Sequence, residues 1–405
     1  MTPRSVLFPV WQRLCQCLFF VASLSLLGCA SAPPARVQPQ LFHDALFKPL
    51  AEPIQPEQVF ALSPAMRRYL DEDIAAQLRS KGSRQGLLDA LYLKSELMLE
   101  YDSSYTRNAA EAFEAKRGNC LSLVIMTAAL AKQLDLPLSY HSVFVDEFWT
   151  RSEGIFVLSG HVNLSLGKRL GEQHRSHGDA DLLTVDFLPA EQRRFQRTRV
   201  IDENTIVAMY MNNRAAEALI ANQMDEAYWW AREAMVQDPK LMAAYNTLSV
   251  IYRRAGQSAL AEAPLRYVLA QEPGNAQAMS NLVLVLNDLG KVQESEALAL
   301  QLKTLQPYPP YRYFDLGVLA MHGADFKAAR DYFDKEIARS AFVAEFHFWA
   351  ALASYGLGDL ALARQQLGQA VANSNTPKDK ASYTAKLEWL NTQRQSAEQR
   401  TRILR

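Results

Sequence analysis

"EAKRGNCLSLVIMTAAL", residues 114–130, contains Cys120, and the only other cysteines of the 405-residue chain stand at positions 15, 17 and 29. The thiol follows Gly118 and Asn119 and opens an apolar run that extends to about Leu134. A run of that length reads as a buried helix. Cys120 then sits at a helix N-terminus, where backbone N–H groups and the dipole stabilise a thiolate. A lone cysteine is otherwise a small core residue, so the chain that follows decides between the two.

That chain is strand-like. "LSYHSVFVDEFW", "GHVNLSLG" and "DLLTVDFLP" are rich in β-branched and aromatic residues, the composition of strands. In the second, His161, Asn163 and Ser165 alternate with Val162, Leu164 and Leu166; in the third, Thr184 and Asp186 oppose Leu183, Val185 and Phe187. With a side-chain period of two, neighbouring strands can place His161 and Asp186 on one face. A helix-terminal thiol, an imidazole to take its proton and a carboxylate to fix the imidazole tautomer are the parts of a nucleophilic site. The other histidines carry less. His141 reads as a partly buried sheet residue, and His174 and His177 lie with Asp179 and Asp181 in a polar loop. His43, His322 and His347 have no chemical context.

"RGNCLSL", "GHVNLSLG" and "VDF" resemble the three motif blocks of the transglutaminase-like cysteine superfamily, over roughly residues 95–190. The resemblance implies an α+β papain/transglutaminase-like core. It makes Cys120 the nucleophile, His161 the general base and acid, and Asp186 the orienting carboxylate. In that family the oxyanion hole joins the nucleophile's own N–H to an upstream aromatic or polar side chain. Tyr101 and Tyr105 are the candidates, and the motif does not select between them. No cofactor is implied, and one retained cysteine leaves no cysteine-based metal site.

The C-terminal half repeats every 34 residues. Ala227, Ala261, Ser295, Ala329 and Ala363 share the interval, as do Pro239, Pro273 and Pro307, and Leu248, Leu282 and Leu316. That interval is the tetratricopeptide repeat, an antiparallel helix pair whose small residues sit at the helix crossing. Five repeats are expected over 208–375, followed by a polar capping helix over 376–405. The expected architecture is thus a cysteine domain over about 95–200 and an all-α solenoid, preceded by a helical segment over 41–94. A repeat stack of this kind presents a groove for a protein or extended peptide. Trp229 and Trp230 could belong to such a groove, but aromatic residues at helical spacing more often pack between repeats, and the pair is not assigned to it.

The N-terminus suggests a compartment. Arg4 and Arg13 precede the apolar "LFFVASLSLLG", which ends against Cys29. That run suits a secretory h-region and is shorter than the roughly 20 residues a spanning helix needs. "LLGCA" resembles a bacterial lipoprotein signal, so residues 1–28 are expected to be removed and Cys29 lipidated. "ASAPPARVQPQ" then forms a tether over 29–40. Ala30 after the cysteine suggests an outer-membrane protein facing the periplasm. Lysine plus arginine and aspartate plus glutamate number 43 each, so no basic footprint for nucleic acid exists. Two functions follow from the sequence: an envelope-anchored cysteine hydrolase or acyltransferase acting on peptide or amide bonds, or a non-catalytic adaptor that binds partners through its repeats.

Overall fold

The computed structural model describes residues 36–92, 97, 99–144, 149–152, 155–158, 160–168, 182–187 and 197–403. Gln38–Arg405 forms one compact unit, and Met1–Val37 is a separate one. The signal segment, the Cys29 lipidation site, His174, His177, Asp179, Asp181, Arg193 and Arg194 lie outside the described residues.

Residues 41–62 depart from the helical expectation, and the turns found there begin inside the expected tether, at Pro39. These are three short 3-10 turns, Pro39–Leu41, Asp44–Leu46 and Pro56–Phe60. Pro49, Pro53 and Pro56 explain it, because each lacks an N–H and disfavours helical geometry at the residue before it. Helices begin with α1 (Pro64–Arg68), capped by the Ser63 hydroxyl, which accepts from the Met66 amide at 3.2 Å. A single π-turn over Tyr69–Asp73 leads to α2 (Ala75–Lys81) and α3 (Ser83–Tyr92).

A two-residue strand, β1 (Glu100–Tyr101), pairs in parallel with β2 (Arg117–Gly118) on either side of α4 (Ala109–Ala115). A capping box starts α4: Asn108 and Glu111 exchange amide-to-side-chain bonds of 2.9 Å. Then comes α5 (Cys120–Gln133), buried without interruption from Leu121 to Ala131. A helix apolar on every side is a core helix, and α5 packs on the central sheet.

That sheet contains β3 (Leu138–Phe144), β6 (His161–Leu166), β7 (Leu183–Val185) and β8 (Arg197–Ile201) in the order β7–β6–β3–β8, all antiparallel. The register sets Val143 opposite His161 and Ser165 opposite Thr184. Every residue of β6 is buried. Two further strands, β4 (Trp149–Ser152) and β5 (Ile155–Leu158), form a separate hairpin.

Ten helices follow in five antiparallel pairs: α6 (Glu203–Ile220) with α7 (Met224–Gln237), α8 (Met242–Arg254) with α9 (Ser258–Gln271), α10 (Ala276–Asp288) with α11 (Val292–Leu305), α12 (Arg312–His322) with α13 (Phe326–Arg339), and α14 (Ala344–Gly356) with α15 (Leu360–Ala372). A last helix, α16 (Pro377–Ile403), packs on α15. Within each pair the chain turns through a left-handed residue, and these recur at the sequence period: Asn222, Gly256, Gly290, Ala324 and Gly358, with φ from 56° to 77°. No helix among the described residues is long and apolar enough to cross a membrane.

Two features tie the halves together. The 38–48 segment lies on α7 and α8: Phe47 stacks on Tyr228 at 4.1 Å, the Tyr252 hydroxyl donates to the Leu41 carbonyl at 2.7 Å, and Trp229 donates to the Lys48 carbonyl at 2.7 Å. One continuous core runs from Leu41 through α5 and the sheet to Leu286 in α10, and a separate core holds Tyr311, Phe314, Phe333 and Phe346. At the far end, Asn375 returns to the first half. Its carbonyl accepts the Ser103 amide at 2.8 Å and the Ser103 hydroxyl at 3.2 Å.

Candidate functional site

Gly118 and Asn119 place Cys120 through local geometry. A Cβ on Gly118 would lie 2.6 Å from the Ser122 Cβ, so only glycine lets β2 come this close to the first turn of α5. Asn119 is the N-cap, its Oδ1 accepting the Ser122 amide at 2.9 Å and the Ser122 hydroxyl at 2.8 Å. Such a cap is worth about 1 kcal/mol to a helix and fixes the orientation of the residue that follows. Cys120 is partly buried, with Sγ 4.0 Å from the Gly160 carbonyl oxygen.

His161, Asp186 and Cys120 come together. His161 Nε2 is 2.9 Å from Asp186 Oδ1, and both side chains are buried. With Nε2 donating to the carboxylate, Nδ1 is left toward the sulfur, an acceptor in the neutral ring and a donor in the charged one. Burial disfavours a charged imidazole here, but the bonds to Asp186 and Cys120 outweigh it and raise His161 to about 9. The second Asp186 oxygen accepts from Asn163 Nδ2 at 3.0 Å. Tyr92, at the end of α3, brackets the same aspartate: its hydroxyl accepts the Asp186 amide at 3.1 Å and donates to the Asp186 carbonyl at 3.2 Å. Sequence reasoning did not assign Asn163 or Tyr92. The signal for Asn163 was its place one period after His161 on the same strand face; Tyr92 had no sequence signal.

The two tyrosines separate. The phenol oxygen of Tyr101 meets the Cys120 backbone amide; desolvation first, and then the neighbouring thiol, hold this phenol above its ordinary value. It therefore keeps its proton and remains a donor. Tyr105 lies instead beneath Arg214, with the guanidinium 4.2 Å from the ring centre. The loop between them is fixed by Asp102, whose carboxylate pairs with Arg107 at 3.1 Å.

Beneath the Cys120 turn lies a polar cluster. Thr106 Oγ1 accepts from Asn119 Nδ2 at 2.9 Å and from Asn213 Nδ2 at 3.2 Å, and the Thr106 amide donates to Glu217 Oε1 at 2.7 Å. The Arg107 amide donates to the Ser122 hydroxyl at 2.8 Å. Burial pushes the Glu217 carboxyl up to about 7, against the opposing pull of Thr106, Arg214 and Arg107.

Of the other histidines, His141 bonds Ser165 at 3.0 Å and is held below its ordinary value by burial. His347 is buried between Gln366 and the Ala341 carbonyl. Among the described residues, no group of three or more His, Cys, Asp or Glu side chains could hold a metal ion.

The tetratricopeptide-repeat family pattern matches residues 247–310 and 314–380. A TPR repeat-containing protein of Pseudomonas aeruginosa is 29% identical over 143 residues, which are 31% of this chain and 24% of that protein. The chain thus spans about a quarter of that relative's length. Among solved structures, Pseudomonas aeruginosa pilF matches 49% of this chain and 100% of its own at 19% identity, with a TM-score of 0.27. A thermophilic TPR protein of Thermus thermophilus matches 45% of this chain and 99% of its own at 13% identity, with a TM-score of 0.29. The C-terminal half of the chain carries tetratricopeptide repeats, which generally bind protein or peptide partners.

Proposed function

We propose that the chain is a protein-binding repeat scaffold that carries a thiol acyl-transfer site in its first half. The repeats recruit a protein or peptide, and Cys120, His161 and Asp186 act on an amide or peptide bond. The observation that carries the chemical part is His161, which bonds Asp186 through one ring nitrogen and faces Cys120 with the other. The resemblance of the three motif blocks to the transglutaminase-like superfamily points the same way.

The thiol proton passes to His161, and Sγ attacks the carbonyl carbon. The oxyanion displaces the bond between the Cys120 amide and the Tyr101 hydroxyl and accepts from both. His161 then returns its proton to the leaving nitrogen as the C–N bond breaks, giving an acyl-thioenzyme. Water or an amine attacks that acyl group, loses its proton to His161 and releases Sγ, so hydrolysis and transamidation differ only in the acceptor. The residues around Cys29 support a lipid anchor in a bacterial envelope, with the outer membrane facing the periplasm as the expected site.

The adaptor reading, in which the thiol does no chemistry and the repeats alone define the function, is favoured by the repeat-family match. The test that separates the two is iodoacetamide alkylation of Cys120 across pH, in the full mature chain and in His161→Ala. A rate that depends on His161, and falls at least about tenfold in the variant, supports acyl chemistry. A profile unchanged by the substitution leaves the adaptor. Release of the chain from membranes on Cys29→Ala tests the anchor.

A further inference from the structure

We infer that the first repeat helix belongs to the thiol site: Asn213 and Glu217 of α6 position the nucleophile's helix through Thr106. The inference deepens the acyl-transfer reading and makes both α6 residues positioning residues. Neither touches the reacting atoms.

Thr106 is the junction. Its hydroxyl accepts two amide N–H groups, one from Asn119 and one from Asn213. A hydroxyl has two acceptor positions and one proton, so both acceptor positions are filled. The Thr106 amide donates to Glu217 Oε1 at 2.7 Å. Every polar atom of Thr106 outside its carbonyl is committed, and the residue is buried.

On the other side of the junction stands the cap of α5. Asn119 has one amide donor on Thr106 and its oxygen on the Ser122 amide and hydroxyl. The Thr106 bond therefore sets the rotamer of the cap, and the cap sets the first turn whose first residue is Cys120. The Arg107 amide on the Ser122 hydroxyl adds a second hold on the same turn. The groups facing Glu217 are Arg214 at 3.5 Å on its own helix, and Arg107 from the loop. Arg214 also reaches toward Glu226 on α7 and covers Tyr105. A displacement of α6 against α7 is thus passed to the thiol by four short bonds. Binding in the repeats and reactivity at the site become linked quantities.

The experiment uses the full mature chain and two readouts, alkylation of Cys120 and hydrogen exchange of the Ser122 amide. Thr106→Val keeps the shape and removes the shared acceptor, Thr106→Ser restores it, and Asn213→Ala removes one donor from outside the loop. The expected result is about a tenfold slower alkylation and at least about tenfold faster Ser122 exchange in Thr106→Val. Thr106→Ser stays within about twofold of the parent, and Asn213→Ala falls between. Exchange in repeats four and five stays unchanged. If Thr106→Val and Asn213→Ala both leave Ser122 exchange and alkylation at parental values, the inference is overturned. Should His161→Ala show that Cys120 is an ordinary thiol, the acyl-transfer reading fails, and Ser122 exchange still decides the positioning claim by itself.

Discussion

Leu248, Leu282 and Leu316 occupy one position of three successive repeats, yet the first two are 0% and 2% exposed while the third is only partly buried. The difference lies in how the chain enters each repeat. Residues 238–241, 272–275 and 340–343 make short joints, whereas 306–311 is longer and contains Pro309 and Pro310. Tyr311 ends that joint at φ 63°. The two prolines hold off the start of α12, and the core breaks there. Repeats one to three share a core with the thiol site, repeat four and the first helix of repeat five build a second, and repeat five with the last helix builds a third. A solenoid's units are joined by nearest-neighbour interfaces, so one altered joint sets repeats one to three apart as a first cooperative block.

The comparison can be broken by substitution. The largest effect is expected for Tyr252→Ala, which removes a fully buried ring and its bond to the Leu41 carbonyl. A loss of about 4 kcal/mol, read by urea unfolding, should be accompanied by faster exchange in α5 as well as in α8. Undisturbed α5 would show that the first block is itself divided. Next, Leu248→Ala should cost about 3 kcal/mol and Leu316→Ala only about 1 kcal/mol. Equal losses would mean that the joint at 306–311 closes in solution. Gly317→Ala comes third: its Cβ would stand 2.4 Å from the Phe333 ring. An overpacking cost of about 2 kcal/mol should appear as faster exchange in residues 312–372 alone.

The most local effect concerns pH. His161 is raised from 6.5 to about 9, so the stability it contributes is complete below about 6.5 and lost as pH rises through about 9. The first block alone should weaken across that window. The His161 ring resonance should titrate near 9, and Asp186→Asn should bring its midpoint down. A midpoint that Asp186→Asn leaves in place would assign the shift to some other group.

The sequence made some of this legible because the underlying physics is local. A 34-residue interval of small residues and prolines announces repeats without reference to anything distant. Alternation along 161–166 and 183–187 was enough to suggest that His161 and Asp186 face each other, since a strand's period leaves only two choices. Tyr101 and Tyr105 could not be told apart, because what separates them is the pairing of β1 with β2 and the arrival of Arg214 from α6, both set by tertiary structure. Asn163 and Tyr92 hold Asp186 through one side-chain and two backbone bonds, and such partners have no spacing rule. The 41–62 segment was expected to be helical and is not. Its apolar residues have helix-like spacing, but its prolines enforce turns, and its burial comes from Tyr228 and Tyr252 on distant helices.

The bond pair between Ser103 and Asn375 has an evolutionary consequence. An open-ended solenoid can gain or lose a unit by duplication or deletion, because each unit answers only to its neighbours. Here the end of the fifth repeat must land beside Ser103, two residues from Tyr101. One added unit would carry Asn375 past its partner, and one fewer would leave it short. A change of repeat number in this chain is therefore expected to break both bonds, whereas substitution within units leaves them in place.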